Sequence, residues 1–403
     1  MKLFFKDIED VNLQNRQVAL KRKIVALLSK SGNSLTIPEI CRRVKLSVPT
    51  GTKLINELME SRIIIETGKM ETESGRRPNL FTIDRDYAYC IGLVVQLKGL
   101  TLKIFNLGME QVYGSRDGGF ILENTPGCLD QVIAFIRGSV EQSGVSMERV
   151  LGLGIGITGR VNSLTGQSYN YFNFLENSVT GFIGNQFPFP VFIDNDTHVL
   201  GLAVQAFGEA RNRKNCFVVN LSRGLGLVMI SNGEIVTGEN YFAGEFGHIQ
   251  FADSDRLCLC GKRGCLGTEV SGYALEQKFR EKIAAGEVSL LPGTLDPESI
   301  HYGNIIDSAK EGDALSISLV HQIGFRLGKA LGNMINLLNP GVIIIGGTFT
   351  SAREILSDAI KSGMFHTALP LPLKYCELMF SSIGPDAAVR GAGAMVLRNM
   401  DLI

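Results

Sequence analysis

GEFGHIQFADSDRLCLCGKRGC, residues 244–265, gathers His248, Cys258, Cys260 and Cys265 into one short segment. Three thiolates and one imidazole suit a tetrahedral Zn²⁺, and four protein donors leave no open position, so the spacing predicts a structural zinc rather than a catalytic one. Gly261 and Gly264 let the backbone turn sharply around the ion. The other cysteines, Cys41, Cys90, Cys128, Cys216 and Cys376, are scattered along the chain and read as small buried hydrophobes.

Outward from this segment the texture is that of an α/β protein. Strand-plus-glycine units recur at 91–105, 150–158, 191–196, 217–230 and 342–347, separated by helical stretches at 200–209, 274–284 and 314–338. The 403 residues are 45% hydrophobic, enough for a sizeable core in two or three domains. The start of the chain has no signal-peptide pattern, and no apolar run is long enough to span a bilayer. A cytoplasmic protein with reduced thiols and no membrane partner is the expectation, which again favours metal ligation over disulfides.

Net charge is zero, but its distribution is uneven: residues 1–85 hold 16 Lys and Arg against 10 Asp and Glu. A basic module on an acidic body points to a polyanion partner for the first segment. Apolar spacing there predicts helices at about 14–30, 37–44 and 48–61, the last capped by Ser47, then two short strands around Ile63-Ile64-Ile65 and Leu80-Phe81-Thr82-Ile83. This order reads as a winged helix-turn-helix over residues 1–86, its third helix entering the major groove of double-stranded DNA. Val48, Thr52, Ile55, Leu58 and Met59 form the expected inner face. Ser47, Pro49, Thr50, Gly51, Lys53 and Asn56 face out, with Lys53 suited to phosphate or guanine and Asn56 to adenine. Arg76 and Arg77, in the wing, can reach phosphates or a minor groove.

Gly244-Glu245-Phe246-Gly247-His248 followed by Cys-x-Cys-Gly-x-x-Gly-Cys resembles the hallmark of the ROK family (repressors, open reading frames and sugar kinases). Asp194-Asn195-Asp196, Asn339-Pro340 and Gly391-Ala392-Gly393 fit the same pattern, and the N-terminal module with its Gly-Arg-Arg-Pro resembles the repressor branch, which includes xylose and N-acetylglucosamine regulators. The resemblance implies a ribonuclease-H-like body of the actin and hexokinase type, with one lobe at 87–198 plus 382–403, another at 199–381, and a sugar held between them. It assigns Asp196 the place of the kinase general base. Asn195, Glu245 and His248 become sugar contacts, Asn170 a further candidate, and His248 also ties to the zinc. The physical case is compatible: a carboxylate accepts from two hydroxyls, and a metal-held imidazole is a rigid donor.

Departures from the pattern are informative. Family kinases open with Asp-x-Gly-Gly-Thr, where this chain has Val94-Val95-Gln96-Leu97-Lys98, and their second phosphate loop reads Gly-Thr-Gly, where this chain has Ser222-Arg223-Gly224. Phosphoryl transfer depends on metal and close backbone amides, so loss of phosphotransfer is expected and Asp196 becomes a vestigial base. Gly267 stands where the family carries a sugar-gripping glutamate. The expected function is a transcriptional regulator, as a repressor, of carbohydrate-utilisation genes. It would act as a homodimer or homotetramer on an operator, with a sugar or sugar derivative as effector. The competing readings are an ATP-dependent sugar kinase with a regulatory module, and a body that serves only as a dimerisation scaffold.

Overall fold

The computed structural model describes residues 13–71, 77–291 and 300–403. They form two compact units, Met1–Val199 with Val389–Ile403, and Leu200–Ala388.

The first unit opens with α1 (Leu13–Ser31), β1 (Leu35–Thr36), α2 (Ile37–Val44), α3 (Val48–Glu60), β2 (Ile64–Lys69) and β3 (Asn79–Ile83). Local chemistry sets the helix ends. Thr36 and Glu39 form a reciprocal capping box at the start of α2, and Lys45 closes that helix with a left-handed backbone. Ser47 caps α3 by accepting from the Thr50 N–H, and Pro49 sits in its first turn. Ile24, Val25 and Leu28 of α1, Ile40 of α2, and Leu54, Ile55 and Leu58 of α3 are buried. The strands make an antiparallel sheet in the order β1-β3-β2, so the expected two-stranded element has a third member.

The inner face of α3 differs from its apolar spacing. Val48 is 51% exposed, whereas Gly51, expected to face out, is buried. A Cβ on Gly51 would collide with Sγ of Cys41, so the position is small because α2 crosses it closely. Leu54, absent from the predicted face, is buried. Cys41 is buried as expected of a small hydrophobe, and that burial pushes its thiol up from the ordinary range.

The rest of the first unit contains β4 (Tyr89–Val95), β5 (Lys98–Asn106), β6 (Gln111–Ile121), α4 (Pro126–Ser143), β7 (Val150–Ile157), the short β8 (Val161–Asn162) and β9 (Gln167–Ser168), α5 (Val179–Gly184), β10 (Val191–Asn195) and the start of α6 (Asp196–Phe207). The five-stranded sheet runs β10-β7-β4-β5-β6. The β4–β5–β6 meander is antiparallel, and β7 and β10 add in parallel. The stretch 91–105 is therefore a hairpin turning at Gln96-Leu97, not one strand. β4 reads Tyr-Cys-Ile-Gly-Leu-Val-Val, with all but the first residue buried, as a central strand covered on both faces should be.

The second unit contains β11 (Cys216–Leu221), β12 (Leu225–Ser231), β13 (Glu234–Ile235), α7 (Gly272–Ala284), α8 (Tyr302–Lys310), α9 (Ala314–Leu338), β14 (Val342–Gly346), α10 (Arg353–Thr367), α11 (Pro370–Lys374) and β15 (Glu377–Phe380). Its sheet runs β13-β12-β11-β14-β15, antiparallel over β11–β12–β13 and parallel over β11, β14 and β15. Here too an expected single strand, 217–230, is a hairpin. The long α9 is capped by Asp313 and buries Leu319, Ile323, Leu327 and Leu331 against the core. The second boundary between the units falls inside the last helix, α12 (Ala387–Asn399). The two sheets share one topology: a three-stranded antiparallel meander whose first strand is extended in parallel by two more.

Candidate functional site

Residues 244–271 of the second unit form a compact corner. A 3₁₀ turn at Phe246–His248 carries the histidine, and a second at Leu266–Thr268 follows the last cysteine. Isolated bridges pair Gln250 with Cys265 and Leu257 with Arg263, so the chain doubles back on itself. Gly264 holds φ 72°, and a side chain there would strike the carbonyl of Ala252. The outcome is convergence: the donor atoms of His248, Cys258, Cys260 and Cys265 all lie within 4.8 Å of one another. Nδ1 of His248 is 3.4 Å from Sγ of Cys258, and Sγ of Cys260 is 3.6 Å from Sγ of Cys265.

The chemistry of this donor set fits a cation. Burial, reinforced by the neighbouring sulfurs, pushes the Cys265 thiol up to about 12. Burial opposes ionisation of Cys260 as well, yet donation from the Lys262 backbone and the adjacent thiols leaves it below the ordinary thiol value. A bound metal ion supplies the positive charge that three crowded thiolates need. These four residues can hold a metal ion. With Nδ1 turned to the sulfurs, the opposite ring nitrogen of His248 faces outward, 3.5 Å from a carboxylate oxygen of Glu245. Both side chains are exposed enough to meet a ligand, at 38% and 41%.

In the first unit, Asn170 and Asn195 gather around Gly159, and Asp196 follows Asn195 in the chain. Asn195 ends β10; its amide donates to the Gly159 carbonyl at 2.7 Å, and its carbonyl oxygen accepts from the Thr197 N–H at 2.8 Å. Asn170 Oδ1 accepts from the Arg160 N–H at 2.8 Å, and its side chain crowds the Cβ position of Gly159. Asp196 begins α6, and Thr197 Oγ1 lies 3.4 Å from its carboxylate. The two asparagines therefore use part of their hydrogen-bonding capacity in shaping this turn.

A residue outside the predicted set joins them. His198 is 7% exposed, and its Nδ1 lies 2.9 Å from Oδ1 of Asp194, which also accepts from the Asn195 N–H. The i,i+4 spacing of Asp194 and His198 across a helix start is the signal that marks the pair.

The segment at Gly267 explains what became of the nearby carboxylate. A Cβ on Gly267 would sit 3.1 Å from the Gly247 carbonyl oxygen, tighter than ordinary contact. Glu269, two residues on, is 4% exposed and turned into a nest of cations, 3.0 Å from Nζ of Lys278 and 2.7 Å from Nη1 of Arg326, with Nε of Arg256 at 3.8 Å. Burial acts to raise its pKa, but these cations hold it below the ordinary carboxylate value. Glu269 is a structural ion and does not stand in for a ligand-gripping carboxylate at 267.

The Ser222-Arg223-Gly224 turn between β11 and β12 is likewise committed. Nη1 of Arg223 lies 3.2 Å from both carboxylate oxygens of Glu276, whose side chain is 5% exposed and which also accepts from the Tyr302 N–H. The Arg223 guanidinium lies over the Tyr273 ring at 5.9 Å. Sequence inspection misses Glu276 because 53 residues separate it from Arg223.

On the N-terminal helices, Ser47, Pro49, Thr50, Lys53 and Asn56 are all exposed. Ser47 Oγ is occupied by its capping role, and Nζ of Lys53 lies 4.0 Å from Glu57. Arg77 is exposed; Arg76 lies outside the described residues.

The ROK family model matches residues 121–399. The chain belongs to the ROK family. It is 26% identical to the xylose repressor of Bacillus spizizenii over 93% of this chain and 97% of that protein. Among solved structures, a ROK family transcriptional regulator homologous to the Escherichia coli MLC protein superposes with a TM-score of 0.79, at 26% identity, over 96% of this chain and 97% of its own. A ROK family glucokinase from Streptomyces griseus, solved with glucose and AMPPNP, superposes with a TM-score of 0.65 at 20% identity over 76% of this chain and 99% of its own. The body thus has the α/β fold of the ROK sugar kinases. Among the described residues, no helix is long and apolar enough to cross a membrane.

Proposed function

We propose that this chain is a DNA-binding transcriptional regulator, a repressor of carbohydrate-utilisation genes, whose DNA affinity is set by a sugar or sugar derivative. The observation that carries the reading is coverage. The regulator structure matches 96% of the chain and the glucokinase 76%, so the resemblance to a regulator takes in more than a kinase body.

In this proposal residues 1–86 are a winged helix-turn-helix, 87–198 with 382–403 one lobe, and 199–381 the other. The exposed side of α3, with Ser47, Pro49, Thr50, Lys53 and Asn56, enters the major groove, and Arg76 and Arg77 reach phosphates beside it. Asn170, Asn195, Asp196, Glu245 and His248 bind the effector. His248, Cys258, Cys260 and Cys265 hold a structural Zn²⁺ that fixes the imidazole and turns its free nitrogen toward the ligand. The protein works as a homodimer or homotetramer, because operators read by such modules are two-fold symmetric. The effector acts by binding one conformational state better than another.

Phosphotransfer is absent in this reading. The β4–β5 turn offers Val94, Val95, Gln96, Leu97 and Lys98 with no carboxylate for Mg²⁺, and Arg223 is tied to Glu276 where a phosphate loop needs open amides.

Fluorescence anisotropy with a labelled operator, titrated against a panel of sugars and sugar derivatives, tests the proposal. At least one ligand should shift operator affinity, and Lys53→Ala should weaken binding and lower the salt slope by about 1. A panel in which no sugar alters DNA affinity overturns the effector model. ADP release above background over the same panel favours the kinase reading instead.

A further inference from the structure

A cavity of about 930 Å³ lies along α9 in the second unit. His321, Phe325, Arg326, Lys329 and Asn333 line it over about 18 Å of helix, and Gln250, at the edge of the metal-binding corner, faces them across it. Its lining contains two permanent cations and several amides but no carboxylate. Among the described residues, the Lys329 ammonium and the side chains of His321, Asn333 and Gln250 have no hydrogen-bond or ion-pair partner. Arg326 gives one nitrogen to Glu269 at 2.7 Å, yet its side chain remains 42% exposed. A guanidinium has five N–H donors, so it has more to offer.

A concave surface rich in donors, whose nearest established carboxylate is the buried Glu269 behind Arg326, complements a compact dianion. Arginine and lysine together are the usual means of gripping phosphate, one as a fork and one as a point charge. The volume far exceeds that of an inorganic ion, and the Phe325 ring supplies an apolar wall for an organic remainder.

We propose that this cavity binds a phosphate-bearing small molecule, held by Arg326 and Lys329 with Asn333 and Gln250 as neutral donors. The site is separate from the one nominated for the effector. Because Arg326 also holds Glu269, four residues beyond Cys265, an anion in the cavity shares its guanidinium with the segment that follows the metal ligands.

Isothermal titration calorimetry on the full chain at constant ionic strength tests this, with inorganic phosphate, glucose 6-phosphate and glucose as probes. The ester should bind saturably, and inorganic phosphate more weakly at the same place. Lys329→Glu should weaken ester binding at least about tenfold and leave any glucose titration unchanged. Asn333→Ala, which keeps the charge, should weaken the ester about threefold. Neither side chain has a partner to lose, so both variants should melt like the parent. Absence of saturable binding by either phosphate, or ester binding that persists undiminished in Lys329→Glu, overturns the proposal. An unaltered operator affinity in Lys329→Glu keeps this test distinct from that of the regulator reading.

Discussion

The two five-stranded sheets have the same strand order and directions, yet the turn after the first strand of each is held differently. In the first unit, β4 and β5 join through Gln96-Leu97, secured by backbone bonds: Gln96 N–H to Gly99 O at 3.1 Å, and Leu122 N–H to Leu97 O at 3.1 Å. In the second, Ser222-Arg223-Gly224 is fastened by the Arg223–Glu276 ion pair, by the Gly272 and Tyr273 N–H groups, and by Ser222 Oγ accepting from the Thr348 N–H. The contrast extends to the candidate site residues. Asn170 and Asn195 are fixed by neutral hydrogen bonds around Gly159, while His248 lies among three thiols, close in the chain to the buried Glu269 ion cluster. A shared topology fixes where turns occur but leaves their chemistry open, so function has to be argued turn by turn.

The contrast predicts that the second unit is the more sensitive to metal and pH. The largest effect should come from stripping the metal with a chelator, or from Cys265→Ser. Structural zinc in small domains is worth on the order of 10 kcal/mol of coupled folding free energy. Calorimetry should show the transition of the second unit falling steeply, with that of the first little changed; a uniform shift of both would break the contrast.

Next is Glu269→Ala. Removing the anion leaves Lys278, 9% exposed, and part of Arg326 uncompensated, a loss of about 3–5 kcal/mol for a buried pair, measurable by urea unfolding. The same carboxylate sets a pH limit. Its folded pKa is depressed below the ordinary 4.5, so its contribution is fully present above that pH and is lost as pH falls through the folded value. Glu269→Gln should therefore flatten the acid limb of stability against pH, and an unchanged limb would show that other carboxylates govern it.

Arg223→Ala should cost about 1–3 kcal/mol, because Glu276 keeps its buried position with one fewer charged partner. Nucleotide binding by this variant and not by the parent would show that the ion pair keeps the turn from accepting a phosphate. The smallest effect should be that of Asn195→Ala, about 0.5–1.5 kcal/mol for a neutral hydrogen bond. If effector binding survives in that variant, the first unit contributes less to recognition than the second.

Much of the candidate site is legible in the sequence. His248, Cys258, Cys260 and Cys265 stand within 18 residues of one another, so their clustering follows from a short segment. The cap at Ser47 is likewise local, since a side chain and the amide it satisfies lie within one turn. The inner face of α3 is less legible: helical period puts Gly51 outside, but the approach of Cys41 from α2 decides that position. The hairpins at 91–105 and 217–230 are marked only by Gly99 and Gly224 with their polar neighbours, and glycine recurs so often in these strands, at Gly92 and Gly226 as well, that it does not single out the turns.

From the sequence alone came the clustering of His248, Cys258, Cys260 and Cys265, the helices of the N-terminal module and the Ser47 cap, all properties of residues close in the chain or of residue type. Only the tertiary structure decided that Glu269 is spent on Lys278, Arg256 and Arg326, that Arg223 is held by Glu276, that His198 supports the Asp194 turn, and that α9 presents a cavity of unpaired donors. Such facts depend on which distant segments packing brings within hydrogen-bond reach. For buried charges that reach decides everything, since a charge out of water must find its partner wherever in the chain it lies.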